Sequence, residues 1–187
     1  MAAEVAHHRF SLAEYEAMIK HGIVTERDWV ELIAGEIVEM SPSAKPHNGC
    51  TSFLNRFFCM GLEAKAIVWI QMPIATPPNS EPRPDVALLR PRTDFYRATR
   101  PYPADVFLVV EVDGSQLSFD RALKLPVYAK AGIPEVWIVN ISEATVEVYR
   151  KPSHDGYGTR MVMHGDDVVA PLSFPDLELR VGEILGY

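Results

Sequence analysis

The sequence predicts a mixed α/β fold in which helices flank a mixed β-sheet, and three observations support this prediction. The 187 residues are 48% hydrophobic, which is enough for one domain with a substantial core. Helical and strand-like patterns alternate in the order helix, strands, helix, strands, helix, strands, which favours one sheet packed against helices. No internal repeat, low-complexity tract or linker divides the chain, so we expect a single domain over residues 1–187.

The first third of the chain is predicted to contain a helix, a hairpin and a longer helix. Ser11 can cap a helix over residues 11–20, and Glu14 completes a capping box three residues later. Alternating apolar and polar residues around an Ala-Gly turn are typical of two strands within residues 29–40. Phenylalanines and leucines at helical spacing predict a helix over residues 47–65.

Apolar runs in the middle of the chain predict strands that surround one more helix. The predicted strands cover residues 66–75, 85–89, 105–112 and 135–140. The run Val-Phe-Leu-Val-Val in the third of them indicates burial on both faces of a sheet. Helical spacing over residues 118–131 ends at Gly132 and Pro134, which are typical helix stop signals.

Beyond residue 141 the pattern is that of β-strands alone. Side chains alternate over residues 145–149, an Asp-Gly turn follows at residues 155–156, and a further strand is expected over residues 157–163. We therefore expect additional strands at both ends of the central core.

The net charge is -7, which bears on the kind of partner that the protein can bind. Binding nucleic acid through the whole surface requires a basic protein, because neutralising phosphates drives that association. The composition therefore excludes this mode, and any nucleic-acid contact is expected to use a local patch or a metal ion.

The cysteines and the amino terminus indicate a cytoplasmic protein without membrane contact. Cys50 and Cys59 are nine residues apart in a predicted helix, which places them on opposite faces and roughly 13 Å apart along its axis. That separation is too long for a mutual disulfide, so a reducing compartment is expected. The amino-terminal residues contain no apolar signal region, and no apolar run approaches the length of a membrane span.

Two acidic residues lie at the ends of predicted buried strands. Asp85 begins one strand after a proline, and Glu111 lies near the end of the most apolar strand. If these strands are antiparallel neighbours, the carboxylates meet, and two converging carboxylates can hold a divalent cation for phosphodiester hydrolysis. The alternative for each residue is a capping or salt-bridged acid at a strand end.

Several segments resemble the Uma2 family of restriction endonuclease-like proteins. They are residues 31–36 (Glu-Leu-Ile-Ala-Gly-Glu), residues 83–87 (Arg-Pro-Asp-Val-Ala), residues 109–112 (Val-Val-Glu-Val) and residues 120–139. The last segment contains Tyr-Ala-Lys-Ala-Gly-Ile-Pro-Glu-Val-Trp-Ile-Val, which is the most specific of these motifs. The resemblance covers residues 10–150.

The resemblance implies a fold, a metal and a third site residue. It implies the PD-(D/E)XK nuclease superfamily, with an α-β-β-β-α-β core and Mg²⁺ or Mn²⁺ as cofactor. Asp85 and Glu111 would bind the metal, with the Val112 carbonyl as a third ligand. Lys124 would act on the attacking water, and Asp120, four residues earlier, would hold it in place. The alternative for Lys124 is a solvated helix lysine paired with Asp120.

The chain departs from the superfamily pattern in two places. Asp113 stands where the acid-x-Lys motif has its lysine, and it is either a third acid near the metal or a turn residue. Pro126 lies inside the predicted helix, where it removes a hydrogen bond to Ala122 and is expected to bend the segment just after Lys124.

Three further residues match positions that recur in the family. Glu31 can help to hold the metal or its waters, or be an exposed strand acid. His47 begins the long helix, and the alternative to a site role is a structural hydrogen bond. Gln71 is expected inside the following strand, where it contacts water or substrate or is satisfied within the sheet.

A local basic segment is the candidate for contact with nucleic acid. Residues 83–102 contain five arginines and two aspartates, and phenylalanine and tyrosine are interleaved with them. Guanidinium groups suit phosphates, and aromatic rings stack on bases. The arginines are Arg83, Arg90, Arg92, Arg97 and Arg100. The alternative is a solvated loop whose arginines pair with acidic residues of the protein.

The function expected from these features is metal-dependent endonuclease activity on DNA. The alternative is a nuclease-like module that is weakly active or inactive and binds nucleic acid or a protein partner. The β-rich carboxyl-terminal part is a candidate homodimer interface. An acid/base pair acting on sugars ranks last, because no aromatic sugar platform accompanies the carboxylates.

Overall fold

A six-stranded mixed sheet forms the centre of the fold. The structure is a computed structural model that describes residues 7–25, 27–40, 44–113 and 120–187, with Asp120 described by its backbone alone. In chain order the elements are α1 (Leu12–Lys20), β1 (Val30–Ile33), β2 (Glu36–Glu39), α2 (Lys45–Leu62), β3 (Ile67–Ile70), β4 (Val86–Leu89), β5 (Val106–Asp113), α3 (Leu125–Ala131), β6 (Glu135–Asn140), β7 (Thr145–Ser153), β8 (Gly156–His164), β9 (Val168–Val169), β10 (Leu179–Arg180) and α4 (Val181–Leu185). A π-helical segment, Asp120–Lys124, leads directly into α3.

The strand order of the central sheet is β3-β4-β5-β6-β7-β8. Strands β5 and β6 are parallel, and the other neighbouring pairs are antiparallel. A parallel pair requires a crossover connection, and α3 provides it here. Helix α3 packs on β7 and β8, and its residue Tyr128 belongs to the same apolar cluster as Val109 of β5.

Each face of the sheet packs against a different helix. Leu108, Val110 and Val112 of β5 belong to the cluster that contains Leu54 and Phe58 of α2. Val109, from the alternate set, packs instead with Tyr128 of α3. Because side chains alternate along a strand, Glu111 lies on the α3 face.

The amino-terminal helix and hairpin pack beside the central sheet. The capping box of α1 is present as predicted, since Ser11 Oγ accepts the Glu14 N–H at 3.2 Å and Glu14 Oε2 accepts the Ser11 N–H at 2.8 Å. Strand β1 is joined to the chain that precedes β4, because the Glu81 N–H donates to the Leu32 carbonyl at 2.7 Å. The hairpin is thereby held close to Asp85.

Ion pairs of Arg100 with the buried Glu81 and the exposed Glu16 fasten α1 to the same connection. Arg100 lies 2.6 Å from Glu81 Oε2 and 3.0 Å from Glu16 Oε1. Burial raises the pKa of the Glu81 carboxyl, and the Arg100 guanidinium opposes that increase.

The predicted fold class is confirmed. The elements α2, β3, β4, β5, α3 and β6 follow the α-β-β-β-α-β order that the family resemblance implied. Both cysteines are free. Among the described residues, no helix is long and apolar enough to cross a membrane.

Three predicted details were wrong. Helix α2 begins at Lys45, two residues early, because Pro46 is compatible with a first helical turn. Strand β3 ends at Ile70, because Gln71 has a φ of +50° and leaves the extended conformation. The carboxyl-terminal part also contains α4, whose five residues are too few to produce a helical pattern. Asp113 is the last residue of β5, and the residues that follow it lie outside the described part of the chain.

Candidate active site

The two predicted strand-end acids lie at adjoining positions of the sheet. Strands β4 and β5 are antiparallel, and Val86 is opposite Val110. Asp85, directly before β4, therefore lies opposite Glu111, two residues before the end of β5. The expectation that these strands are antiparallel neighbours is confirmed.

Asp85 is held by contacts from three elements. His47 Nε2, in the first turn of α2, lies 2.9 Å from Asp85 Oδ1. Gln71 Nε2, just beyond β3, donates to the same oxygen at 3.2 Å. The Val112 N–H donates to Oδ2 at 2.8 Å. His47 and Gln71 thus both reach the site, although Gln71 was expected within the strand and instead follows its end.

The Val112 carbonyl faces the end of β4 that adjoins Asp85. The register of β4 and β5, continued by two residues, sets Val112 opposite Pro84. In an antiparallel pair the N–H and C=O of one residue point to the same neighbour, and proline has no N–H to donate. The Val112 carbonyl therefore faces Asp85's end of β4 without a ladder donor from Pro84.

Lys124 lies between two buried glutamates. Its Nζ is 3.1 Å from Glu31 Oε1 and 3.4 Å from Glu111 Oε1. Lys124 is 6% exposed, Glu31 2% and Glu111 3%. The alternatives of a solvated helix lysine and an exposed strand acid are therefore wrong, because tertiary packing covers both side chains.

The second Glu31 oxygen binds the chain before Asp85. Glu31 Oε2 accepts the Arg83 N–H at 3.0 Å. Glu31 therefore joins the hairpin to two parts of the site, the lysine and the connection that leads into β4.

Tyr128 is a site residue that the sequence analysis missed. Its hydroxyl donates to Glu111 Oε1 at 2.6 Å, and the residue is fully buried. Tyr128 follows Lys124 by four residues, so both lie on one face of the helix. That spacing was the available signal.

The charge balance of the site suits a cation. Asp85, Glu111 and Glu31 supply three carboxylates, against the one ammonium group of Lys124. Within the described part of the chain, no three His, Cys, Asp or Glu side chains are grouped so that they could hold a metal by themselves. Mg²⁺ is usually held by one or two carboxylates with water in its other positions, so this donor set fits it.

Asp113 and Asp120 are the other two acids that were predicted near the site. Asp113 is buried at the end of β5, on the same face as Glu111. The side chain of Asp120 lies outside the described residues, so its predicted contact with Lys124 does too.

Three of the five arginines in residues 83–102 bind partners within the protein. Arg90 donates to the Ala104 carbonyl at 2.9 Å, and Arg92 binds Asp94 through two hydrogen bonds of 3.0 and 2.9 Å. Arg100 forms the ion pairs with Glu16 and Glu81 described above. Arg90 also lies at the end of β4 remote from Asp85. The alternative of arginines that pair with acids of the protein thus describes Arg92 and Arg100.

Arg83 and Arg97 are the other two arginines of this segment. Arg97 is exposed, and Arg83, two residues before Asp85, is partly exposed.

Another buried glutamate, Glu147 on β7, lies on the same face of the sheet as Glu111. It shares a cross-strand row with Glu111, since Ile138 is the partner of both residues. Arg121 from the π-helical segment and Arg160 from β8 both pair with it, the latter at 3.1 Å, and the Tyr149 hydroxyl donates to it. The Arg121 pair fastens the π-helical segment to the sheet three residues before Lys124.

Comparison with known proteins gives a family and similar solved structures. The family model "Uma2: Putative restriction endonuclease" matches residues 12–182. No curated protein matches the chain. A crystal structure described as "a putative nuclease belonging to DUF820 from Anabaena variabilis ATCC 29413" is similar with a TM-score of 0.72 and 18% identity, over 94% of this chain and 97% of that chain. At this identity the likeness shows a shared fold.

Proposed function

Because the chain belongs to the Uma2 family, we propose that it is a metal-dependent endonuclease that hydrolyses phosphodiester bonds in DNA. The family and the fold indicate a restriction endonuclease-like nuclease. The observation that carries the finer proposal is the placement of Lys124 against Glu111, at the position of the sheet where Asp85 adjoins Glu111.

Asp85, Glu111 and the Val112 carbonyl are the proposed ligands of a divalent cation, Mg²⁺ or Mn²⁺. Restriction endonuclease-like families generally use divalent metals. Such an ion, when bound, neutralises phosphate charge and supplies an activated water. His47 and Gln71 hold Asp85 in the orientation that this role requires.

Lys124 is the proposed partner of the attacking water and of the scissile phosphate. Its ammonium group can donate a hydrogen bond to either, and so orient the water and stabilise developing negative charge. Glu31 restrains this ammonium group at 3.1 Å, so the lysine is already placed before substrate binds.

The substrate is proposed to contact a small part of the surface. With a net charge of -7, the protein depends on the cation and on local cationic groups for phosphate binding. Arg83 and Arg97 are the candidates within residues 83–102, since Arg90, Arg92 and Arg100 bind partners in the protein. We propose that this chemistry resides in one domain, and that a homodimer would cut both strands.

The test is cleavage of supercoiled plasmid and branched DNA with added Mg²⁺ or Mn²⁺. We expect nicking or cleavage by the wild type and loss of it in Asp85→Asn and Glu111→Gln, since each removes one charged ligand. Asp94→Asn and Glu36→Gln are the controls, because both acids form ion pairs away from the site. Equal cleavage by all five proteins would show that the activity comes from elsewhere.

A nuclease-like module that binds DNA or a protein without cutting is the second candidate. The acidic balance and the aspartate at position 113, where the superfamily has its lysine, favour it. DNA binding that persists in chelator and in Asp85→Asn, without cleavage by the wild type, would establish this candidate instead.

A further inference from the structure

Tyr128 donates a hydrogen bond to a proposed metal ligand. The donor is the hydroxyl and the acceptor is Glu111 Oε1 at 2.6 Å, a separation typical of a hydroxyl bonded to a carboxylate oxygen. The ring is fully buried on the α3 face, in the cluster that contains Val109 and Val136. Because packing restricts rotation of this side chain, the hydroxyl keeps one position beside the carboxylate.

Lys124 does not distinguish the two oxygens of Glu111. Its Nζ lies 3.4 Å from Oε1 and 3.5 Å from Oε2, so rotation of the carboxylate would alter this pair little. Tyr128, in contrast, binds Oε1. The tyrosine therefore selects one orientation of the carboxylate, and the lysine supplies charge.

We infer that Tyr128 is a positioning residue that fixes the Glu111 carboxylate for cation binding. The inference rests on the proposed function, because it takes Glu111 as a metal ligand. Groups that orient metal ligands typically change metal affinity about 10- to 100-fold when they are removed. A tyrosine with a merely structural role would change the unfolding temperature and leave the affinity for metal unchanged.

The protein contains a matched control for this hydrogen bond. Tyr149 also donates its hydroxyl to a buried glutamate, Glu147, on the same face of the sheet. That glutamate is paired with Arg121 and Arg160 and takes no part in the proposed cation site. Tyr128→Phe and Tyr149→Phe therefore remove the same group from two buried glutamates, of which one is a proposed metal ligand.

The experiment is calorimetric titration of Mn²⁺ into the full chain, with thermal unfolding of the same metal-free samples. The proteins are wild type, Glu111→Gln, Tyr128→Phe and Tyr149→Phe. We expect the Kd for Mn²⁺ to rise at least about tenfold in Tyr128→Phe and to stay unchanged in Tyr149→Phe. Both tyrosine variants are expected to unfold at somewhat lower temperature.

Two other outcomes overturn the inference, and a third overturns the proposed function. If Glu111→Gln binds Mn²⁺ weakly and Tyr128→Phe binds it as the wild type does, the inference fails and the proposed function stands. Equal weakening in both tyrosine variants also overturns the inference, because the effect is then general loosening. A wild type that binds no Mn²⁺ overturns the proposed function itself.

A double variant covers the case in which Tyr128→Phe does not fold. In Tyr128→Phe/Glu111→Leu neither partner of the hydrogen bond remains. If Tyr128 acts through Glu111, the double variant unfolds at about the temperature of Glu111→Leu alone, since the two changes are coupled. Additive losses would overturn the inference.

Discussion

Lys124 is a buried charged residue and also a proposed catalytic residue. Its ammonium group contacts Glu31 from the hairpin and Glu111 from the sheet, and all three side chains are nearly inaccessible. Buried ionised groups are stable only when they are paired, because their desolvation is costly. The lysine therefore reduces the repulsion between two buried carboxylates, and it joins the hairpin to the central sheet.

We expect Lys124→Met to lower the free energy of unfolding by about 3–5 kcal/mol, because it leaves two buried carboxylates without their cation. Urea denaturation at neutral pH measures the change. Lys130→Met on α3 is the matched control, since Lys130 is exposed and its loss should have little effect. If both variants are as stable as the wild type, the buried glutamates do not depend on Lys124 for stability.

The helical segment around Pro126 shows how a helix can accommodate a proline. Pro126 was predicted to bend the helix, and the structure has a π-helical segment, Asp120–Lys124, immediately before α3. In a regular α-helix the proline ring would clash with the carbonyl four residues earlier, Ala122. The wider π-helical turn relieves this clash, and such segments are frequent at functional sites.

Pro126→Ala is expected to reduce DNA cleavage while the fold is kept. With alanine the N–H of residue 126 can bond to the Ala122 carbonyl, so regular α-helix can extend backward and turn Lys124 away from Glu31 and Glu111. Cleavage assays together with circular dichroism measure both effects.

Pro134→Ala is the control for this prediction, because Pro134 lies beyond the end of α3. Unchanged cleavage in Pro126→Ala would mean that Arg121 and its pair with Glu147 place the π-helical segment without help from the proline.

The two faces of the sheet differ in the side chains that they bury. The α2 face is mainly apolar, and Phe58 packs there on Trp137 with ring centroids 6.2 Å apart. It also buries Glu135, which pairs with Arg150 and accepts the Trp137 indole N–H. The α3 face is apolar near β5's start and carries buried glutamates, Glu111 and Glu147, farther along. Stability from one face thus supports a charged site on the other, since desolvated carboxylates add little stability of their own.

Phe58→Ala is expected to lower the free energy of unfolding by about 3–5 kcal/mol, because it leaves a cavity between α2 and the sheet. Met60→Ala on the same helix is the control, since Met60 is 66% exposed. Guanidinium denaturation followed by tryptophan fluorescence measures both variants. Equal stability of the two would show that α2 does not depend on this contact for its packing.

Local patterns in the sequence were sufficient for most of the elements and for the pair Asp85 and Glu111. Alternation and apolar runs report directly on which face of a strand is buried, so β4, β5 and β6 were predicted to within one or two residues. The strand-end position of Asp85 and Glu111 follows from the same runs. Helix α4 escaped prediction because five residues do not define a period.

Only the tertiary structure revealed the partners of these acids. Glu31 reaches Lys124 across more than ninety residues of chain, and Tyr128 binds Glu111 from another element. No local pattern encodes such contacts, because the register of β4 on β5 and the position of α3 on the sheet decide which side chains meet. The sequence was enough to predict a pair of carboxylates, and packing made them part of a buried network with one lysine.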